Sequence, residues 1–462
     1  MSGTESPSPA APTTRLWFEN AYLSDGWARN VTLSVSDGRI AGIDVGTESS
    51  ATSERHAIAL PGLPNLHSHA FQRVFAGGTE VRGPTGDSFW TWREAMYRAV
   101  DRMDPDDVEA IATLAYVEML EAGFTRVGEF HYLHHDINGY RYNELGELSQ
   151  RIAAAATSTG IALTLLPVFY AHGGFDAAPP THGQRRFINS VSSFARLLES
   201  ARQAISTLPD AVLGLAPHSL RAATLTEISR LLPLTTGPIH IHVAEQMKEV
   251  EDCLAFSGRR PVEFLLDHVA VNARWCLIHA THMTEDETTR LAKTGAVAGL
   301  CPITEANLGD GIFPAPAFLE AGGRYGVGSD SNVRIDAAEE LRLLEYSQRL
   351  AHRARNVLAM SEGHSTGASL FAGALQGGGQ ALGAPVGLEV GAPADLVSLD
   401  ARHPSLLGRT GDGILDAWIF STPGQAVDCV WRRGVKLVEA GIHRDREAAR
   451  RRFAAVRAKL AA

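Results

Sequence analysis

The chain has 462 residues, 45% of them hydrophobic and 20% charged, and a formal net charge of −10. That supplies apolar material for a large barrel plus a smaller attached domain, and a negative field without any basic run carrying interleaved aromatics argues against nucleic-acid binding. No apolar stretch approaches the length of a membrane span, and four scattered cysteines without a CxxC pair (Cys253, Cys276, Cys301, Cys429) fit free thiols in a reducing compartment, the cytoplasm, better than a disulfide framework.

Residues 1–14 are rich in Ser, Pro and Thr, lack an apolar leader core, and read as a disordered tail. Over 15–60 the alternation of Val31, Leu33 and Val35 with polar neighbours predicts strands, and Asp37-Gly38 supplies a hairpin turn before Ile40 and Ile43. From 61 to 380 short apolar runs alternate with helical periodicities, which is the pattern of βα units. The runs lie near 60–66, 124–130, 161–169, 212–217, 238–243, 275–280, 297–301 and 325–329. Helix signals punctuate them, as where Asp104-Pro105 opens a segment that Gly123 closes. Segment 381–445 turns back to strands, with Arg433-Gly434 as a turn, so that 15–60 and 381–445 complete one small sheet domain. A C-terminal helix is expected over 446–462. Eight βα units predict a closed TIM barrel, although spacing alone leaves an open doubly wound sheet as the alternative.

His67 and His69 close the first barrel strand. Residues i and i+2 of a strand point to the same side, so these two imidazoles can converge on one metal ion. Barrel chemistry sits at the C-terminal strand ends, and there the sequence places His218 after the fourth run, His242 and then Glu245 after the fifth, His279 after the sixth and Asp330 after the eighth. Scattered surface histidines would not favour these positions, and core histidines would not bring an aspartate and a glutamate with them. His134, His135, His268, His282 and His352 read instead as loop or surface residues, and His240 as sharing the His242 face one layer deeper.

This pattern resembles the amidohydrolase superfamily, whose members hold one or two divalent metals at the mouth of a TIM barrel flanked by a small β-sandwich. The resemblance implies a mononuclear deaminase site, with His67, His69, His242 and Asp330 around the metal and Glu245, His279 and Asp330 as the catalytic groups. Two-metal members commonly bridge their ions with a carboxylated strand-end lysine, and none of the four lysines (Lys248, Lys293, Lys436, Lys459) lies at a predicted strand end. Three imidazoles and a carboxylate suit Zn2+, with Fe2+ the competitor for the same ligands. Such a metal lowers the pKa of bound water to about 7, so that hydroxide can attack an electron-poor sp2 carbon while Glu245 moves a proton to the departing nitrogen.

Arg93 and Arg221 lie in the connections after the first and fourth strands, and guanidinium forks hold carboxylates, with the Tyr132 hydroxyl nearby; each arginine alone also reads as a surface residue. The runs from His67 to Arg73, Trp92 to Tyr97, Glu129 to Asp136 and Ala216 to Ala222 look like the formimidoylglutamate deiminase family, which hydrolyses N-formimino-L-glutamate to N-formyl-L-glutamate and ammonia in histidine degradation. Carried over by position, that resemblance implies that Gln72, Arg93, Tyr132, His218 and Arg221 contact a small anionic substrate, and that the enzyme is a homodimer. The stretch Ser331–Asp336 after Asp330 is more charged than that family's pattern. Two other readings are a mononuclear deaminase of an aminated heterocycle such as guanine, and a catalytically inactive barrel serving as a binding or scaffold protein.

Overall fold

A computed structural model describes residues 13–82, 89–422 and 426–461. Most of the expected tail, residues 1–12, lies outside them, and the first strand, β1 (Thr14–Leu23), begins inside the span read as tail. It is followed by β2 (Gly26–Ser36), β3 (Arg39–Val45) and β4 (Glu54–Pro61). Asp37 and Gly38 are both left-handed, with φ of 53° and 77°, as a two-residue hairpin turn requires.

The barrel runs through β5 (Leu63–Ser68), β6 (Phe124–His131), β7 (Ala162–Phe169), an interrupted stave made of β8 (Val212–Leu213) and β9 (Ala216–Pro217), then β10 (Ile239–Val243), β11 (Trp275–His279), β12 (Val297–Leu300) and β13 (Arg324–Val327). All pairings among them are parallel. Isolated parallel bridges Leu215↔Ile239, Ser219↔His242 and Ser68↔Asp330 join the two arcs of strands into a closed ring. An open sheet would have left β5 and β13 as edges, so closure settles the alternative. β6, β7 and β10–β12 are buried along their whole length, as expected of strands with a barrel interior on one face and helices on the other.

Closure depends on a close approach. A Cβ on Gly328 would stand 2.7 Å from the His67 backbone, so only glycine lets the chain after β13 run beside β5. The helix Thr366–Leu382 packs across the far end of the barrel, where its last carbonyls accept hydrogen bonds from His240 (at Ala381, 2.8 Å) and Thr164 (at Leu382, 3.0 Å). Leu382 and Ala381 share an interior cluster with Leu66, Cys276 and Ile278, so the barrel is plugged and not hollow.

After the barrel come β14 (Leu396–Leu399), β15 (Val427–Arg432), β16 (Val435–Glu439) and β17 (Ile442–His443), which join β1–β4 in one eight-stranded sheet ordered β17-β16-β15-β14-β4-β1-β2-β3. The sheet curls on itself: Arg39 bridges to Pro393, and Leu16, Val31, Leu33, Leu396, Cys429 and Trp431 close one core between its two halves. The expected sandwich of N- and C-terminal segments is thus a single sheet folded over. The final helix, Arg446–Ala461, is tied to helix Pro105–Glu121 by the pairs Arg446–Glu121 (2.6 Å) and Lys459–Asp107 (2.6 Å).

Candidate active site

The parallel strands put their C-terminal ends at one mouth of the barrel, and the predicted polar residues meet there. One ligand atom each from His67, His69, His242 and Asp330 lies within 4.8 Å of the others, and all four residues are buried. His69 Nδ1 donates to the Phe130 carbonyl (3.0 Å) and His242 Nδ1 to the His218 carbonyl (3.1 Å). A ring nitrogen facing a carbonyl must carry the proton, so both rings turn an unprotonated Nε2 inward. His242 Nε2 stands 3.1 Å from His67 Nε2, while Asp330 Oδ1 is 3.3 Å from His69 Nε2 and 3.5 Å from His67 Nε2.

Burial pushes the histidines down, His67 to about 3 and His242 well below the ordinary range, so they stay neutral. Asp330 behaves oppositely. Burial alone would raise it, but its close contact with His67 and the charge of His279 hold it below the usual carboxylate range. Neutral nitrogen lone pairs and an ionised carboxylate aimed at one point are a donor set that fits a single divalent cation. The four lysines do not enter it: Lys248 is half-exposed and paired with Asp252, and Lys436 pairs with Glu54 in the sheet domain, while Lys293 and Lys459 lie on helices.

Five non-glycine residues around this point, Ala244, His279, Ala280, Asp330 and Asn332, have left-handed φ of 52°, 66°, 48°, 45° and 55°. Such strain persists only where surroundings over-determine it, and it clusters at functional sites. Here it turns the chain at the strand ends so that Glu245, His279 and Asp330 face one another. His279 Nε2 lies 3.8 Å from both Glu245 Oε1 and Asp330 Oδ2, and its Nδ1 is 3.1 Å from Glu305 Oε1. Burial opposes a charge on His279, but Glu245, Glu305 and Asp330 together raise it to about 10. Glu245 is pushed up to about 7 by burial, against the pull of His279 and Arg221. A carboxyl group that titrates near neutrality is suited to take and return a proton.

The pocket above the cluster is lined by His69, Gln72, Arg93, Tyr132, His218, Arg221, Glu245 and Asp330, together with aromatic walls that include Trp92, Tyr97, Tyr170 and Phe187. All five residues expected to contact substrate therefore share one cavity. Gln72 Nε2 donates to the Tyr132 hydroxyl (2.8 Å), which fixes both side chains. Arg93 lies on helix Phe89–Val100 and stacks on Trp90 at 4.5 Å, and Arg221 approaches the same ring at 5.5 Å. The Nε atoms of both arginines are buried and, among the described residues, have no hydrogen-bond partner. The surface alternative for these arginines does not hold.

Some expectations need correction. His134 and His135 lie in a loop, as expected, but are buried there, their Nε2 atoms donating to the Val168 and Ile188 carbonyls (2.9 and 2.8 Å), because the loop after β6 folds under the 182–189 segment and is covered by it. The charged stretch after Asp330 divides in two: Ser331 and Asn332 are buried at the site, whereas Arg334 is half-exposed and pairs with Asp336, the N-cap of helix Ala337–His352. Sequence reasoning missed Glu249 and Glu305. Both sit in helices a turn beyond the strand ends and reach back to the site, Glu305 at His279 and Glu249 at the backbone of Ala244 and Glu245 (3.3 Å each). A glutamate in the first turn after a ligand-bearing strand end was the signal available.

Comparison with known proteins agrees with this geometry. The model for the Amidohydrolase family matches residues 58–437, and that described as "Formimidoylglutamate deiminase HutF, N-terminal domain" matches residues 14–57. The chain is 49% identical over 449 residues to formimidoylglutamate deiminase of Pseudomonas aeruginosa, covering 96% of this chain and 99% of that protein. It is 30% identical to a 5-methylthioadenosine/S-adenosylhomocysteine deaminase of Natronomonas pharaonis, over 75% of this chain and 74% of the other. Among solved structures, an amidohydrolase from Brucella melitensis superposes with a TM-score of 0.94 at 56% identity, covering 97% of this chain and all of that one (100%). An adenosine deaminase from Xanthomonas campestris with bound zinc has a TM-score of 0.80 at 22% identity, covering 98% and 100% of the two chains, a likeness of fold.

Proposed function

The chain belongs to the amidohydrolase family and, within it, to the formimidoylglutamate deiminases, and on that premise we propose that it hydrolyses N-formimino-L-glutamate to N-formyl-L-glutamate and ammonia. The observation that carries the reading is the cavity itself, in which two guanidinium groups with buried Nε atoms, Arg93 and Arg221, face the same space as the four-ligand cluster. A dicarboxylate substrate needs two fixed cations, and a purine does not.

His67, His69, His242 and Asp330 would hold one divalent ion, Zn2+ on the grounds of its donor set with Fe2+ the competitor. When bound, the ion supplies Lewis acidity and a lowered pKa for water. The chain's own groups do the rest. Arg93 and Arg221 bind the two carboxylates, and Gln72, Tyr132 and His218 orient the formimino end above the cluster. Asp330, ionised and beside the histidines, accepts a proton from the attacking water. The water oxygen adds to the formimino carbon, and both water protons reach the nitrogen by way of Asp330 and Glu245; the C–N bond then breaks, the nitrogen leaves as ammonia and the formyl C=O forms. His279, held positive by its three carboxylates, stabilises the negative charge that develops on the attacked centre. The aromatic walls exclude bulk water from these charges.

The family resemblance and the prevalence of two-fold symmetry support a homodimer, and four buried free cysteines support a reducing compartment, the cytoplasm. No helix among the described residues is long and apolar enough to cross a membrane. The deciding experiment measures ammonia release from N-formimino-L-glutamate and from guanine by the same metal-assayed protein, with and without prior chelation. Turnover of the first, lost on chelation and regained with added zinc, is expected; turnover of guanine alone would overturn the reading.

A further inference from the structure

Glu249 has no counterpart among the groups that touch substrate or reacting atoms, yet it is fully buried between two of them. It lies in the first turn of helix Met247–Ser257, and its side chain is 0% exposed. Its Oε1 accepts from the Ala244 amide and its Oε2 from the Glu245 amide, both at 3.3 Å. The same Oε2 faces Arg221 Nη2 at 3.9 Å. Ala244 is the left-handed residue that turns the chain from β10 into the pocket, and its carbonyl is held from the other side by the His282 amide at 3.0 Å. The Arg221 guanidinium, whose Nε has no partner among the described residues, takes Glu249 as its nearest carboxylate.

We infer that Glu249 is a positioning residue that ties the carboxylate clamp to the proton carrier, holding Arg221 at one end of its carboxylate and the Ala244–Glu245 turn at the other. The inference rests on the deiminase reading above. A left-handed alanine relaxes unless something holds it, and a buried carboxylate that accepts two amides and opposes one guanidinium needs all three partners to justify its burial. Substrate binding at Arg221 and proton delivery from Glu245 are thereby set by one side chain that touches neither the formimino carbon nor the departing nitrogen.

The test is Glu249→Gln, which keeps the shape and one accepting oxygen but removes the charge facing Arg221. The variant is made alone and in an Arg221→Met background, with constants normalised to metal-loaded, folded protein. Alone it is expected to raise KM and lower kcat, each by about tenfold or more. In the Arg221→Met background the KM effect should vanish while the kcat effect persists, because only the link to Glu245 remains. A purely structural role would lower Tm and leave both constants of the folded protein unchanged, which overturns the inference. Equal KM effects in both backgrounds overturn it as well. If Glu249→Gln does not fold, Glu249→Asp withdraws the carboxylate from both partners and supplies the same comparison. Wild-type protein runs alongside: its failure to turn over N-formimino-L-glutamate overturns the deiminase reading and this inference together, whereas normal wild-type turnover with an unsplit variant overturns the inference alone.

Discussion

Replacing Arg221 by methionine tests whether the cavity is a carboxylate clamp. The guanidinium side chain is 10% exposed and stands 3.9 Å from Glu249, its ion-pair partner among the described residues, so a substrate carboxylate meets a largely desolvated cation. Two unit charges about 4 Å apart attract by roughly 4 kcal/mol at an effective dielectric of about 20. Stripping water from the incoming carboxylate takes back part of this, leaving about 2–4 kcal/mol, as for other buried charge pairs that lose one partner. At about 1.4 kcal/mol per tenfold, kcat/KM should fall roughly 30- to 1000-fold. The carboxylate is remote from the bond that breaks and is held alike in ground and transition states, so the loss should appear mainly in KM. Steady-state ammonia release at several substrate concentrations measures it, with metal content and circular dichroism as checks, because Glu249 loses its counter-charge in the variant. A kcat/KM within about threefold of wild type, in folded and metal-loaded protein, would refute the clamp.

Glu245→Gln should lower kcat by about 10²- to 10⁴-fold, the usual worth of a positioned proton carrier, while substrate KM and bound metal change little; metal analysis and kinetics on one sample check it. Gly377→Ala should destabilise the protein by about 2 kcal/mol or more, although alanine is the better helix former, because its Cβ would fall 1.8 Å from the Tyr325 carbonyl; a variant as stable as wild type in urea would show that the helix can lift away from β13 freely. Burial alone lowers His131 to about 3. Its folded form therefore refuses a proton that the unfolded chain accepts below about pH 6.5, and stability is lost as pH falls toward the folded value. Between pH 6.5 and 5 that loss is about 2 kcal/mol, so His131→Leu should gain about that much relative to wild type when urea unfolding is moved from pH 7 to pH 5. A difference that does not change with pH would refute the neutral, buried state of His131.

Local pattern carried much of this molecule. The eight apolar runs are staves of the barrel because a strand buried on both faces has nowhere to put polar residues, and the exceptions fall where the strands end. His67, His218, His242 and His279 could be picked out by position for that reason. What position could not distinguish was one buried histidine from another. His134 and His135 look like exposed loop residues until the 182–189 segment is seen to cover them, and Arg93 and Arg221 look like surface residues until Trp90 and the pocket walls are in place.

By itself the sequence determined which residue types end each strand, and hence that imidazoles and carboxylates would meet wherever those ends met. Tertiary structure decided that they meet at all. The ring closes only because Gly328 lets the chain after β13 lie against β5, bringing Asp330 beside His67 across more than half the chain. It also decided the supporting cast, Glu249 and Glu305, whose side chains return to the site from the next helical turn. Strand periodicity is a local property that short-range sterics and burial impose on neighbouring residues. Convergence of charges is not, because it depends on contacts between segments that the sequence keeps far apart.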